Sequence, residues 1–193
     1  MDTKSKLDIA TQKKQSGDQA FKAGDMPAAL RNYHESLMYL QGLDKNALES
    51  IGIKSPNAAP PADDGQTDEQ KDAEKKKEKT IVDEMLEKIY SNMAACQIKN
   101  KKWDRAIECA NKALAKNEDN HKALYRKAKA LAEQGFFDKS KKVFEELKKK
   151  NPKDTASIDT EIAHYKRIDD EKEKANSKKL KGFLNKKSLE TDA

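Results

Sequence analysis

Lys122 and Arg126 stand four residues apart in "NHKALYRKAKALAEQ", and Asn92 precedes Arg126 by 34 residues. Cations four apart on a helix share one face. The same segment must bury Leu124 and Leu131, so the two cations belong to a different face from the packed one. Lys14 stands on an earlier helical segment. Two or three cations and an amide converging in one groove would form a trap for carboxylates. Each charge-assisted hydrogen bond there contributes roughly 1.5–3 kcal/mol where water is excluded. The plain alternative is that Lys14, Lys122 and Arg126 are three of forty basic residues on a solvated surface. The plain alternative for Asn92 is a buried amide bonded to a neighbouring helix.

No comparable arrangement points to catalysis. There is no GxSxG, GxxxxGK[ST] or HExxH sequence, and no glycine-rich loop follows a strand pattern. His34, His121 and His164 sit in separate segments without paired ligands, so neither a metal site nor a cofactor is expected. Cys96 and Cys109 show no CxxC spacing and read as two buried thiols of a reducing compartment. Charge is dense in both signs, with 40 Lys and Arg against 34 Asp and Glu. No basic stripe is interleaved with aromatics, so a nucleic-acid partner is not expected. No run approaches the apolar length of a transmembrane helix, and the first residues lack the apolar core of a signal peptide. A cytoplasmic protein is the expectation.

The elements that must position these residues repeat. Residues 91–120 align with 125–154 without a gap at a spacing of 34. Ala94 falls on Ala128, Ala106 on Ser140, Ala110 on Phe144 and Ala113 on Leu147. Small residues at the first of these positions let two helices approach closely. Residues 14–40 have the same form, with Gly17 at the Ala94/Ala128 position and Gly24-Asp25 at the turn between helices. Ala29, Leu30, Tyr33 and Leu37 are the expected buried stripe of the second helix. Arg126 and Asn92 are repeat equivalents, so both should face one concave surface lined by the first helices of successive units.

The pattern G-x-x-x-F-x-x-G-D with A-L-x-x-Y, and later A-L-Y-R-x-A, resembles the tetratricopeptide repeat, a helix–turn–helix unit of about 34 residues. The resemblance implies an all-α, right-handed superhelix of three helix pairs, closed by a C-terminal capping helix. The expected organisation is a tail at 1–9 and a repeat domain at 10–154, with units near 10–43, 87–120 and 121–154. A Pro-rich insert follows the first unit at about 44–66 and reads as a mobile loop. A helix is expected from about Thr67 to Lys99, with Ile81, Met85 and Ile89 on its packed face. The capping helix spans 155–175, carrying Ile158, Ile162, Tyr165 and Ile168. Residues 176–193 are expected as a basic, frayed tail. Leu180–Leu184 among lysines is a candidate contact for calmodulin or a membrane surface, but Gly182 and the short apolar patch favour fraying.

The insert and the lengthened helix resemble the repeat domains of immunophilin cochaperones, and also tetratricopeptide repeat protein 9. The first resemblance implies a function: such domains clamp the acidic C-terminal peptide of heat-shock protein 90 or 70. Carried over by position, Lys14, Asn92, Lys122 and Arg126 match the clamp. Asp18 stands where the family has Asn. An ionised Asp repels a carboxylate, by about 4 kcal/mol at 4 Å and an effective dielectric near 20. It could instead pair with Lys14. The resemblance thus implies a non-catalytic adaptor with this five-residue site. The alternative is the same scaffold binding an internal peptide or another protein surface, with the clamp weakened by Asp18. Immunophilins often carry a prolyl isomerase domain before such repeats. With about ten residues ahead of the first helix, none is expected in this chain.

Overall fold

The computed structural model describes residues 2–40, Leu43 and 81–191, and among them every regular element is helical. Three antiparallel pairs are formed by α1 (Thr3–Lys22) with α2 (Met26–Leu40), α3 (Ile81–Lys99) with α4 (Trp103–Lys116), and α5 (His121–Glu133) with α6 (Phe137–Lys150). A 3-10 turn at Pro152–Asp154 leads into the last helix, α7 (Thr155–Thr191). The expected all-α superhelix of helix pairs is the fold of the chain. The insert at 44–66 and the stretch from Thr67 to Thr80 lie outside the described residues.

All three turns inside the pairs close in the same way. The amide of Asp25 donates to the Ala20 carbonyl, that of Lys102 to Gln97, and that of Phe136 to Leu131, each at 2.9 Å. This five-residue reach requires a left-handed residue just before the donor. Gly24 (φ 83) and Gly135 (φ 89) supply it in the outer units, and Lys101 (φ 55) supplies it in the middle one. Sequence spacing matches this, since Lys101 falls 34 residues before Gly135.

Within each pair the helices meet where one side chain is small. In the first unit Gly17 is buried under Tyr33, and a β-carbon built on Gly17 would lie 2.7 Å from the ring. The repeat equivalents are Ala94 with Ala110 and Ala128 with Phe144, all buried. Two hydroxyls stitch the pairs further: Ser36 donates to the Ala10 carbonyl at 2.7 Å and Ser140 to the Ala128 carbonyl at 2.8 Å. Both serines are buried, so these bonds satisfy groups that would otherwise be costly.

Several boundaries differ from expectation. Residues 3–9 are not a tail but the first turns of α1. The Asp2 carboxylate caps them by accepting from the Ser5 amide at 3.1 Å, and Leu7 packs on the core beside Ala10. The α2 stripe is Ala29, Tyr33, Ser36 and Leu40, with Leu30 and Leu37 only partly buried. In α3 Ile89 is buried, but Ile81 is exposed and Val82 takes the inward place. Residues 176–191 continue α7 instead of fraying. The stretch has no proline and is rich in good helix formers, and one interior Gly costs only about 1 kcal/mol.

The start of α7 closes the stack. Ile158 and Tyr165 are buried against Leu124, Ala128, Phe144 and Leu147, with Ile162 and Ile168 packed beside them. Tyr165 donates to Glu133 at 3.0 Å and Tyr125 to Glu161 at 2.9 Å, tying α7 to α5. Burial and the Glu161 bond push the Tyr125 hydroxyl up to about 12, so it stays a donor at any ordinary pH.

Lys101→Gly should raise stability by about 0.5–1 kcal/mol, because it removes the steric cost of a left-handed non-glycine residue. Gly17→Ala should lower it by about 1–3 kcal/mol, because a backbone-fixed methyl meets the Tyr33 ring. Urea unfolding monitored by circular dichroism measures both, and a Lys101→Gly variant less stable than the parent would contradict the turn geometry.

Candidate functional site

The first helix of each pair, α1, α3 and α5, contributes to one shared region of polar side chains. At its α1 end lies Asp18. One carboxylate oxygen, Oδ2, accepts from Lys14 Nζ at 2.6 Å. The other, Oδ1, accepts from the Tyr33 hydroxyl at 2.7 Å and from Asn92 Nδ2 at 2.9 Å. Lys14 reaches Asp18 because the two are one turn apart on α1. Tyr33 reaches it because its ring packs against Gly17, the residue before Asp18. Asn92 comes from the neighbouring pair, so this carboxylate joins the first unit to the second.

Burial pushes the Asp18 carboxyl up, but the bonds from Lys14, Tyr33 and Asn92 outweigh it and hold the group below its ordinary 3.8. Burial and the bond to Asp18 push the Tyr33 hydroxyl strongly up, so it remains a donor. Asp18 is therefore a charged carboxylate that already occupies two of the groups expected to grip a ligand.

The α5 end is built differently. Arg126 is half-buried, and its Nη1 donates to both the carbonyl and the hydroxyl of Ser91 at 2.6 Å. Burial lowers its affinity for a proton, with Cys96 and Tyr33 nearby acting in the opposite direction. Lys122 is exposed, and among the described residues it makes no ion pair. Both cations line a cavity of about 480 Å³. Its floor is apolar, with Phe21, Ile98, Tyr125 and Ile158, and Lys99 and Lys129 add further positive charge. Lys129 Nζ stands 6.0 Å from the centre of the Tyr125 ring. Asp154 contributes one acidic side chain to the lining.

The five residues singled out by spacing thus fall into two linked groups. Lys14, Asp18 and Asn92 form one hydrogen-bonded set, while Lys122 and Arg126 share the cavity. Arg126 connects them, because Ser91 precedes Asn92 on α3. The residues that spacing missed are Tyr33, Ser91 and the apolar floor. Tyr33 reads as core from its periodicity, and it is core, but its hydroxyl also extends to Asp18. Ser91 carries no signal of its own, since it receives Arg126 only because two helices are stacked. Leu124 and Leu131 are buried, on a face distinct from that of Lys122. Cys96 and Cys109 are free and buried, and burial pushes the Cys96 thiol up to about 11, which keeps it inert. Among the described residues no His, Cys, Asp and Glu group could hold a metal ion, and no helix is long and apolar enough to cross a membrane.

Three helix pairs of one form, the second and third 34 residues apart, define a helical-repeat protein. Residues 97–160 match the family model described as Tetratricopeptide repeat, and the chain has the tetratricopeptide repeat fold. Over 67 residues the chain is 43% identical to the peptidyl-prolyl cis-trans isomerase FKBP42 of Arabidopsis thaliana, which covers 35% of this chain and 18% of that protein. The match therefore spans less than a fifth of the relative's length. Among solved structures, the C-terminal repeat domain of a Plasmodium falciparum FK506-binding protein superposes with a TM-score of 0.64 at 21% identity, over 90% of this chain and 97% of that one. The Hsp90 co-chaperone Cns1 of Saccharomyces cerevisiae gives 0.63 at 21% identity, over 94% of this chain and 47% of that one.

Because its pKa is depressed in the folded state, Asp18 stabilises the fold fully above the ordinary value of 3.8 and progressively less as pH falls through the lower folded value. Asp18→Asn should therefore be less stable than the parent near neutral pH, and the gap should close below about pH 4. Thermal melts of both proteins across the acid range test this. A gap independent of pH would place the Asp18 charge outside the Lys14, Tyr33 and Asn92 network.

Proposed function

We propose that this chain is a protein-binding module of cochaperone type whose concave face grips an acidic chain end, such as the C-terminal peptide of heat-shock protein 90 or 70. The single observation that carries the reading is the cationic cavity of α5, where Lys122 and Arg126 stand over an apolar floor. A terminal carboxylate would meet Lys122, and the apolar side chain beside it would enter the floor between Phe21, Tyr125 and Ile158. Solved neighbours of the same fold include an Hsp90 co-chaperone, which supports the choice of ligand class. The reading is of an adaptor without catalysis. Any isomerase activity of the FKBP42 type would belong to parts of that protein beyond the matched region.

A specific observation favours a second reading. Asp18 already holds Lys14 and Asn92, so the α1 end of the groove is filled by the protein's own carboxylate. The groove would then take an internal acidic segment, needing one carboxylate at Lys122 and no free chain end at Lys14.

Titration with a peptide ending in Glu-Glu-Val-Asp, and with its C-terminally amidated form, separates the two. The first reading expects the free acid to bind more tightly. Equal binding by both supports the second, and binding by neither ends the acidic-peptide proposal. Lys122→Glu should weaken the free-acid complex by about tenfold to a hundredfold, the loss of one charge-assisted bond. Asp18→Asn should strengthen it. The Asn carbonyl oxygen can still accept from Tyr33 and Asn92, while its amide turns toward Lys14 and frees that cation. A weaker Asp18→Asn complex would contradict the role given to the carboxylate.

A further inference from the structure

The last helix continues well past the point where it has anything to cover. Ile158, Ile162, Tyr165 and Ile168 pack on the repeat stack, but from Asp170 to Lys181 every residue is exposed. That stretch alone projects roughly 15–20 Å at 1.5 Å per residue. Two large apolar side chains sit on the projecting part, Leu180 with 59% and Phe183 with 64% of its surface exposed. Three positions apart on a helix, they share one face.

The charge of this segment is distinctive. Between Glu173 and Glu190 there are six lysines, at 174, 178, 179, 181, 186 and 187, and no acidic residue. The whole chain carries a formal charge of +6. Removing these six from the 40 basic residues leaves 34, against 34 acidic ones, so the rest of the molecule is neutral overall. These 16 residues at the tip of a projecting helix thus hold a charge of +6 with no carboxylate among them, whereas the other strongly basic stretch, 121–154, mixes eleven Lys and Arg with five Asp and Glu. Lys178, Lys179 and Lys181, which flank Leu180, are all exposed.

We propose that residues 174–189 dock on an anionic membrane surface. The helix lies in the interface, with Leu180 and Phe183 in the outer acyl region and the lysines among acidic headgroups. Interfacial helices need both components, an apolar face to insert and cations to meet the headgroups. Charge complementarity selects this occupant. Among the described side chains the exposed apolar pair spans one turn, which suits shallow insertion. A protein groove that receives a helix reads anchors spread over several turns, and among the described side chains of this stretch Leu180 and Phe183 are the large apolar ones exposed. The attachment is weak and reversible, because two side chains bury little apolar area. Each lysine near the surface should change affinity by about fivefold, and salt should screen the attraction.

Sedimentation of the full chain with lipid vesicles tests this. The expected result is binding to vesicles of phosphatidylcholine and phosphatidylserine, none to phosphatidylcholine alone, and release by high salt. Reversing Lys178, Lys179 and Lys181 to Glu should lower binding on the order of 100-fold or more. Leu180→Ser with Phe183→Ser should lower it about tenfold or more. All five positions are exposed, so circular dichroism should report an unchanged fold. Failure to bind anionic vesicles overturns the proposal. So does binding that the Leu180/Phe183 pair of substitutions leaves unchanged, and so does capture by calcium-loaded calmodulin without any vesicle binding.

Discussion

The close approach of the paired helices governs the molecule. At one position in each repeat the backbone of the first helix comes so near the second that one of the two residues must be small. In the first unit Gly17 yields entirely and Tyr33 fills the space, with a 2.7 Å separation that no β-carbon could tolerate. In the third, Ala128 meets Phe144, and in the middle one two alanines face each other. The volume is shared differently each time, yet the turns that follow are superposable down to their hydrogen bonds.

That packing also sets the chemistry of the concave face. Because the Tyr33 ring lies over Gly17, its hydroxyl arrives beside the next residue, Asp18. The carboxylate then collects Lys14 from its own helix and Asn92 from the next pair, and it ionises readily despite partial burial. The Asp18 charge is thereby met by Lys14, Tyr33 and Asn92. The α5 end keeps its open cation in Lys122, while Arg126 is held by Ser91. The two ends differ: at the α1 end the cation and amide are paired with Asp18, and at the α5 end Lys122 is exposed.

Charge is distributed unevenly along the chain. In the repeats cations and carboxylates intermingle and form local pairs such as Lys116 with Asp83 and Lys150 with Asp119. At the far end of α7, between 174 and 189, there are lysines and no carboxylates. A helix that begins as a lid on the last hydrophobic cluster ends as a cationic arm, and the transition near Asp169–Asp170 is where apolar residues stop recurring on the packed face.

Much of this was legible in the chain itself. The period of 34 residues, the small residues at the helix crossings, Gly24 and Gly135 in the turns and the Ile158–Ile168 stripe all follow from spacing, because helical periodicity and turn chemistry are local properties. The positions of Lys14, Asn92, Lys122 and Arg126 on the first helices were equally readable. Local rules erred at the ends: Asp2 as a cap extended α1 backward, and a lone Gly182 did not stop α7. What only the tertiary structure decided is which of those polar groups meet. The partners of Asp18 come from positions 14, 33 and 92, and Arg126 finds Ser91 across 35 residues. Such pairings depend on how hairpins stack, and nothing in a single helix's sequence encodes the distance to the next.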